Sequence, residues 1–329
     1  MSAPPLHVGV IGYGFMGRTH AEAYTAAGAE RVTVFDPGAH VAQPDAAGGG
    51  DLRLGGIGSA RAASLEEFLS IDSLVAVSVC TPTDTHIELA TAALEAGKHV
   101  LVEKPVALDV EQIEALAAAA DLAGRLCVPA MCMRRWPAWQ WLAEAIRAER
   151  YGPLRSARFE RLGPTPGWND AFYRDTARSG GAIFDLHIHD TDFITHLLGM
   201  PAAVRTTGTE QHLTTVYLYD DVAASVAATG GWIDAPGLPF RMRFFVECEA
   251  AALDFELGRT PELVVHHADG TTEHPPMPVE TGWQRTVSAF IDSVQAGAPA
   301  SATLTEAAGV TRLLHAERRS LRTGRDVGL

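Results

Sequence analysis

Three glycines near the start of the chain, Gly12, Gly14 and Gly17, have the spacing that binds the phosphates of a dinucleotide. They follow the apolar run at residues 8–11 and precede a helix predicted over 18–27. In this context the first glycine permits a tight turn, the second lets the backbone approach a pyrophosphate, and the third lets the helix pack closely. The free N–H groups at the start of the helix also attract phosphate. The intervening residues belong to the same predicted site: Tyr13, Phe15 and Met16.

Asp36 ends the next predicted strand, at the distance from the glycines where an acid binds the hydroxyls of the adenosine ribose. A carboxylate there would repel the 2'-phosphate of NADP, and the next three residues include no arginine to receive it. The sequence therefore predicts NAD rather than NADP as the cofactor, with Arg53 the distant cation that folding could bring near. A glycine turn without a ligand, a flavin site and an S-adenosylmethionine site are the weaker alternatives.

Polar residues recur along one face of an apolar helix that is predicted over residues 181–198. At about 100° per residue, four of them share a narrow stripe: Asp185, His189, Asp192 and His196. A polar seam on an apolar helix needs polar partners or a ligand, because unpaired polar groups are costly to bury. A structural pair or a metal site could use the same residues. We expect no metal.

The elements that must hold these residues change in type near residue 130. Before it, short apolar strands at 32–35, 74–80, 99–102 and 126–133 alternate with helices such as 110–123, which is typical of βαβ units. After a helix at 136–150, strands follow at short intervals: 154–162, 203–209, 213–219, 222–229, 241–248, 252–257 and 263–267. Two further helices are predicted at 283–296 and 304–323, the last stopped by Gly324.

The predicted fold class is therefore α/β with two domains. Residues 1–130 form an N-terminal Rossmann domain with a doubly wound parallel sheet. Residues 131–329 form a C-terminal α+β domain with a mostly antiparallel, open sheet. The segment 38–58 is too rich in glycine for a helix and is predicted to be a surface loop.

The composition excludes several classes of function. A formal net charge of -14 at pH 7 disfavours nucleic acids and anionic membranes as partners. The sequence has no run long and apolar enough for a membrane span and no signal peptide, so we expect a cytoplasmic protein. Four scattered cysteines lack the spacing of a disulfide framework or zinc site: Cys80, Cys127, Cys132 and Cys248.

An ordered set of motifs spans almost the whole chain. The clearest is the segment VSVCTPTDTHIELATAALEAGKHVLVEKPVAL, which includes Thr81, His86 and Lys104. The others are the glycine turn with its trailing His20, Arg134-Arg135, Gly180-Gly181, Asp185 with His189, and Ser320 with Gly324. Together these motifs resemble the Gfo/Idh/MocA family, the group of glucose-fructose oxidoreductase and inositol dehydrogenase.

The resemblance implies a Rossmann domain followed by an α/β domain, with the substrate between them and an open sheet that often mediates oligomers. We accordingly expect a homo-dimer or homo-tetramer. The resemblance also implies that Thr81 and Pro82 line the cofactor cleft and that Glu103 contacts the nicotinamide ribose. His86 is placed with these cofactor-binding residues, although for His86 and His20 a helix-packing role is the simpler interpretation.

By the same resemblance, Lys104, Asp185 and His189 form the catalytic group and contact the substrate. Oxidation of a secondary alcohol needs a base for the hydroxyl proton and a donor to the developing alkoxide. A lysine ammonium can hydrogen-bond the reacting oxygen, and a histidine can shuttle the proton while an aspartate orients it. Which of Lys104 and His189 takes the proton first stays open.

Further substrate contacts are predicted at Arg135, Trp168 and Arg174, because aromatic rings and guanidinium donors suit polyhydroxylated rings. Trp136, Trp139 and Asn169 are further candidates, and these three residues, like Trp168 and Arg174, are equally suited to packing. The predicted function is that of an NAD-dependent dehydrogenase or reductase of a sugar, cyclitol or related polyol. The alternatives are an NAD-retaining glycosidase and a sugar or dinucleotide sensor without catalysis.

Overall fold

The computed structural model describes residues 6–36, 58–167, 169–221, 223–235 and 237–329. The chain divides into two compact units. The first comprises Met1–Cys132 and Thr281–Ala308, and the second comprises Met133–Glu280 and Gly309–Leu329. Most of the loop predicted at 38–58, with Arg53, lies outside the described residues.

In chain order the strands are β1 (His7–Ile11), β2 (Arg31–Phe35), β3 (Gly58–Arg61), β4 (Leu74–Val79), β5 (His99–Val102), β6 (Cys127–Pro129), β7 (Leu154–Pro164), β8 (Ala203–Gly208), β9 (His212–Leu218), β10 (Ser225–Ile233), β11 (Arg241–Cys248), β12 (Ala251–Glu256), β13 (Leu263–His267), β14 (Thr272–Glu273) and β15 (Val327–Gly328). The helices are α1 (Phe15–Ala26), α2 (Leu65–Leu69), α3 (His86–Glu95), α4 (Val110–Ala123), α5 (Pro137–Arg147), α6 (Asp170–Arg174), α7 (Thr176–Ser179), α8 (Ile188–Leu198), α9 (Gly282–Ala296) and α10 (Leu304–Thr323).

The first unit contains a six-stranded parallel sheet in the order β3-β2-β1-β4-β5-β6. All five residues of β1 are buried, as expected for a strand covered by helices on both faces. The strand order reverses between β1 and β4, and ligands of such sheets bind at the carboxyl ends of the strands beside this point. The predicted Rossmann fold is confirmed.

A late segment of the chain completes the first unit. Val287, Phe290 and Ile291 of α9 pack in the same apolar core as Ala21 and Tyr24 of α1. They lie at helical spacing, so α9 presents one continuous apolar face to this core. The predicted domain limits of 1–130 and 131–329 therefore differ from the observed units, because 281–308 belongs with the first.

The second unit contains a nine-stranded sheet in the order β14-β13-β12-β11-β7-β10-β9-β8-β15. β7 and β10 pair in parallel, and the other neighbouring strands pair antiparallel. Burial alternates along β11, so one face of the sheet is covered and the other is open to solvent. The predicted mostly antiparallel sheet is confirmed.

An aromatic cluster forms the core of this unit. Trp139 of α5 is fully buried, with its ring centroid 5.0 Å from that of Phe244, 4.8 Å from Phe255 and 6.4 Å from Phe193. These edge-to-face contacts join α5 and α8 to the covered face of the sheet. Trp139 thus packs in the core, which is one of the two roles that the sequence left open for it.

Several predicted elements differ from the observed ones in their limits, and two of these differences concern candidate site residues. The strand predicted at 126–133 ends at Pro129, and a 3₁₀ turn covers Cys132–Arg135. Gly181, where the helix predicted at 181–198 should begin, has a positive φ of 71°, and Gly180 before it has a φ of 77°. The first turn of this helix, Ile183–His187, is π-helical rather than α-helical. The wider turn changes the angle between successive residues, so the stripe predicted from Asp185 onward does not continue straight.

Candidate active site

The glycine turn after β1 has the local geometry of a phosphate-binding loop. Gly12 has a φ of 86°, and a Cβ atom added to it would lie 2.8 Å from the Cys80 carbonyl oxygen. A Cβ on Gly17 would lie 2.0 Å from the Gly12 carbonyl oxygen, so both positions require glycine. Gly14 is exposed, and a Cβ atom added there would have no neighbour within 4 Å among the described residues beyond the adjoining backbone. The backbone of the loop is therefore tightly packed at Gly12 and Gly17, and it is accessible to a ligand at Gly14.

Asp36 lies at the carboxyl end of β2 beside this loop. The backbone N–H of Tyr13 donates to Asp36 Oδ2 over 2.8 Å, and the Asp36 side chain is largely buried. The carboxylate thus fixes the glycine turn from the position where an acid meets the ribose hydroxyls. Phe15 and Met16 open helix α1, and Phe15 is 53% exposed.

His86 joins the segments that follow β4 and β5. Its Nε2 lies 2.8 Å from the Thr81 carbonyl oxygen, and its Nδ1 lies 2.9 Å from the Pro105 carbonyl oxygen. The ring is buried, and burial lowers its pKa against the opposing effect of these carbonyl groups. His86 therefore holds these two backbone segments together at the carboxyl edge of the sheet. Pro82 begins the short turn that leads into α3.

Glu103 and Lys104 directly follow β5. The Glu103 side chain is buried, with Oε1 3.1 Å from Nε2 of His20, while Oε2 accepts a 3.1 Å hydrogen bond from the Lys104 backbone N–H. Burial alone would raise the pKa of Glu103, but the hydrogen bond from His20 and the charge of Lys104 outweigh it and hold the pKa below its ordinary value. Lys104 is half-buried, and its bond to Pro105 is cis.

In the second unit, two buried ion pairs fix helix α8. Arg134 donates to both carboxylate oxygens of Asp192, the shortest contact being 2.7 Å. Arg161 of β7 donates in the same two-pronged way to Asp190 over 2.9 and 3.1 Å. Both pairs are almost fully buried. Asp192 of the predicted polar stripe is therefore a structural anchor, and His196 lies at the surface beside Arg147.

Asp185 and His189 lie on either side of a buried histidine. His187, on the π-helical turn, is fully buried, with Nε2 3.2 Å from Oε2 of Glu317 in α10. The other Glu317 oxygen accepts a 3.2 Å hydrogen bond from Thr191. Asp185 and His189 are half-buried instead. The turn is thus held by His187, while Asp185 and His189 keep contact with solvent.

The remaining predicted substrate residues have different surroundings. Arg135 is half-buried at the end of the 3₁₀ turn, next to the anchored Arg134. Arg174 is exposed and forms an ion pair of 2.6 Å with Asp170, one helical turn earlier. Trp168 lies outside the described residues.

The sequence analysis did not identify four buried polar residues that contact or adjoin the candidate site residues. Ser78, Tyr24, His187 and Glu317 were not among the predicted residues. Glu317 carried a signal, because it shares the apolar face of α10 with the buried Leu313 and Leu314. A charged residue on such a face requires a partner, but the sequence does not show that the partner is His187.

Within the described parts of the chain, His, Cys, Asp and Glu side chains form no group of three or more suited to hold a metal ion. No helix there is long and apolar enough to cross a bilayer.

Known proteins resemble both units. Residues 6–131 match a family model described as an oxidoreductase family with an NAD-binding Rossmann fold, and residues 139–233 match the GFO/IDH/MocA C-terminal domain. UDP-N-acetylglucosamine 3-dehydrogenase of Acidithiobacillus ferrooxidans is 33% identical over 278 residues, covering 81% of this chain and 79% of that protein. Inositol 2-dehydrogenase of Rhizobium meliloti is 32% identical over 193 residues, 58% of this chain and 54% of that protein.

A solved structure shares the whole fold. Levoglucosan dehydrogenase in complex with NADH and levoglucosan superposes with a TM-score of 0.83 at 21% identity, covering 99% of each chain. At that identity the likeness concerns the fold alone. The sequence matches and the geometry of the glycine loop agree, and the chain belongs to the GFO/IDH/MocA oxidoreductases, a family of sugar and cyclitol dehydrogenases with an NAD-binding Rossmann fold.

Proposed function

We propose that this enzyme uses NAD to transfer a hydride to or from a secondary hydroxyl or carbonyl carbon of a sugar, cyclitol or related polyol. One observation carries the proposal. The glycine loop, Asp36, Thr81 and Lys104 follow β1, β2, β4 and β5, so all four lie at the carboxyl edge of one parallel sheet. This edge is where open α/β sheets bind their ligands.

The chain's own residues fit a dinucleotide. Gly14 leaves room for a pyrophosphate at the start of α1, and Asp36 is the group that would meet the ribose hydroxyls. Thr81 and Pro82 would line the cleft, with Glu103 near the nicotinamide ribose. When bound, the nicotinamide supplies the hydride chemistry that amino-acid side chains lack.

Three side chains carry the proton chemistry in this proposal. The Lys104 ammonium donates a hydrogen bond to the reacting oxygen and favours the alkoxide form of an alcohol substrate. His189 accepts or returns the hydroxyl proton, because an imidazole titrates near neutral pH. Asp185 orients His189 or holds a neighbouring substrate hydroxyl.

Polyhydroxylated rings are the proposed substrates because the named relatives act on them. Besides the two above, the relatives include D-glucoside 3-dehydrogenase of Escherichia coli, 31% identical over 206 residues, 61% of this chain and 56% of that protein. We further propose that Arg135, Trp168 and Arg174 contact the substrate. Release of Arg174 from Asp170 would free its guanidinium for this task.

The cofactor preference rests on the charge at Asp36. In the Asp36→Ala variant we expect NADH to bind about 10-fold more weakly, since hydrogen bonds to a charged group are lost, and the preference over NADPH to shrink. Asp36→Asn is the matched control, because its amide oxygen can still accept from the Tyr13 N–H. Fluorescence titration with NADH and NADPH measures both affinities. Tighter binding of NADPH than NADH by the unmodified protein would contradict the preference.

The function itself is tested by following the absorbance of reduced nicotinamide. The protein is mixed with NAD and a panel of inositols, aldoses, alkyl glucosides, anhydrosugars, sugar acids and nucleotide sugars, and the panel is repeated with NADP. We expect reduction with one class of polyhydroxylated substrate. Silence across the panel, with NADH binding demonstrated by fluorescence, would count against the proposal.

A further inference from the structure

A buried line of hydrogen bonds in the first unit ends beside Lys104. The Tyr24 hydroxyl lies 2.7 Å from Ser78 Oγ, and Ser78 Oγ lies 2.9 Å from Nδ1 of His20. Nε2 of His20 lies 3.1 Å from Glu103 Oε1. Tyr24 and Ser78 are fully buried, and His20 and Glu103 are nearly so. The four residues come from α1, β4 and the end of β5, so the line joins α1 to the sheet.

With one proton on the His20 ring, the donors of this line have a self-consistent direction. An ionised Glu103 only accepts hydrogen bonds, so the His20 proton lies on Nε2 and its Nδ1 accepts from the Ser78 hydroxyl. Ser78 Oγ in turn accepts from Tyr24, whose phenol stays protonated because burial raises its pKa. Every buried polar hydrogen then has an acceptor, and all of the donors point towards Glu103.

Both oxygens of Glu103 are engaged. Oε1 receives the bond from His20, and Oε2 receives the backbone N–H of Lys104. The carboxylate plane is therefore fixed at two points, and one of them is the backbone N–H of Lys104 itself. A rotation of the carboxylate would break one of these bonds, and buried polar groups do not give up partners without cost.

We propose that Tyr24, Ser78 and His20 are positioning residues for Lys104, acting through the Glu103 carboxylate. The inference deepens the proposed function, in which Lys104 acts at the reacting oxygen. The line of donors fixes the carboxylate, and the carboxylate fixes the Lys104 backbone through its hydrogen bond to the N–H. Helix α1, which carries the glycine loop, thereby also sets the aim of Lys104.

The composition allows Lys104 to be observed directly. The sequence contains two lysines, Lys98 and Lys104, so protein labelled with ¹³C at the lysine Cε gives two side-chain signals, which Lys98→Arg assigns. The variants are Ser78→Ala, which breaks the line in the middle, and Tyr24→Phe, which removes only the terminal hydroxyl. Thr33→Val is the matched control, because Thr33 is also buried and bonded to a histidine, His7, at 2.8 Å in the same sheet.

In full-length protein with NAD, we expect Ser78→Ala to move the Lys104 signal and its pH titration and to lower kcat about 10-fold, as small misplacements at an active site do. Tyr24→Phe should move them in the same direction by less. NADH affinity should stay within about twofold, since the glycine loop is untouched. Thr33→Val should lower stability and leave the Lys104 signal unchanged.

An unchanged Lys104 signal and kcat in folded Ser78→Ala and Tyr24→Phe would overturn the inference and leave the line a packing feature. If Ser78→Ala fails to fold, Tyr24→Phe decides alone, because phenylalanine preserves the volume of the buried ring. A failure of the proposed function is distinguishable: turnover would then survive loss of the Lys104 amine, whatever the lysine signal does.

Discussion

Replacement of Lys104 by methionine is expected to lower kcat by about 10²–10⁴, the range for loss of a general acid or base. Methionine matches the length of the lysine stem and removes the ammonium, so the reacting oxygen loses its donor. NADH affinity should change little, because the glycine loop and Asp36 are elsewhere on the sheet edge. Steady-state rates on the substrate found in the panel, with NADH titration, provide the measurement.

Lys98 supplies the control for this experiment. Its ammonium donates to the Ile71 carbonyl oxygen over 2.8 Å, and it precedes β5 as Lys104 follows it. Lys98→Arg should retain the turnover of the unmodified protein. Retained turnover in Lys104→Met would remove Lys104 from the mechanism.

Loss of the buried Arg161 guanidinium is expected to lower the free energy of unfolding by about 3–5 kcal/mol. In Arg161→Met the Asp190 carboxylate would remain buried without its partner, and the guanidinium would no longer lie over the Trp139 ring, 5.8 Å from its centroid. Because Asp190 follows His189 directly, activity should fall as helix α8 loosens. Denaturant unfolding measures the change in stability.

Two further variants separate burial from charge. In Arg322→Met an exposed pair is broken, with Arg322 65% and Glu210 36% exposed, so the loss should stay below about 1 kcal/mol. The double variant Arg161→Met/Asp190→Leu removes both buried charges and should be more stable than Arg161→Met. Equal losses for the buried and exposed single variants would contradict the role of burial.

Most strands and helices of the first unit could be predicted from sequence signals that involve only nearby residues. The glycine spacing, the apolar strands and Asp36 each depend on residues near one another in the chain, and the observed β1, β5 and α4 agree with the predicted limits to within one residue. Asp109 caps α4 by accepting from the Gln112 N–H, and Gly124 ends it with a φ of 60°. Such signals can be recognised in the sequence because a helix cap depends on residues only a few positions apart.

The second unit was harder to predict, because its polar residues are defined by distant partners. Asp185, His189 and Asp192 looked equivalent on an ideal helix. The structure separates them, because the turn before α8 is π-helical and Asp192 meets Arg134 from an element 58 residues away in sequence. Helical periodicity predicts which face of a helix a residue lies on, but it does not show whether that residue pairs with an arginine from a distant part of the chain.

Because residues 281–308 belong to the first unit, this unit cannot complete its fold until late in synthesis. On a ribosome, the strands of the six-stranded sheet emerge about 150 residues before Thr281 does. At roughly 5–20 residues per second this interval lasts about 8–30 s. Throughout it, the apolar surface that Val287, Phe290 and Ile291 later cover on α1 is exposed. The nascent Rossmann half therefore exposes an apolar surface of the kind that chaperones bind. A gene fragment that ends near residue 132 would yield a domain that keeps this surface exposed and tends to aggregate.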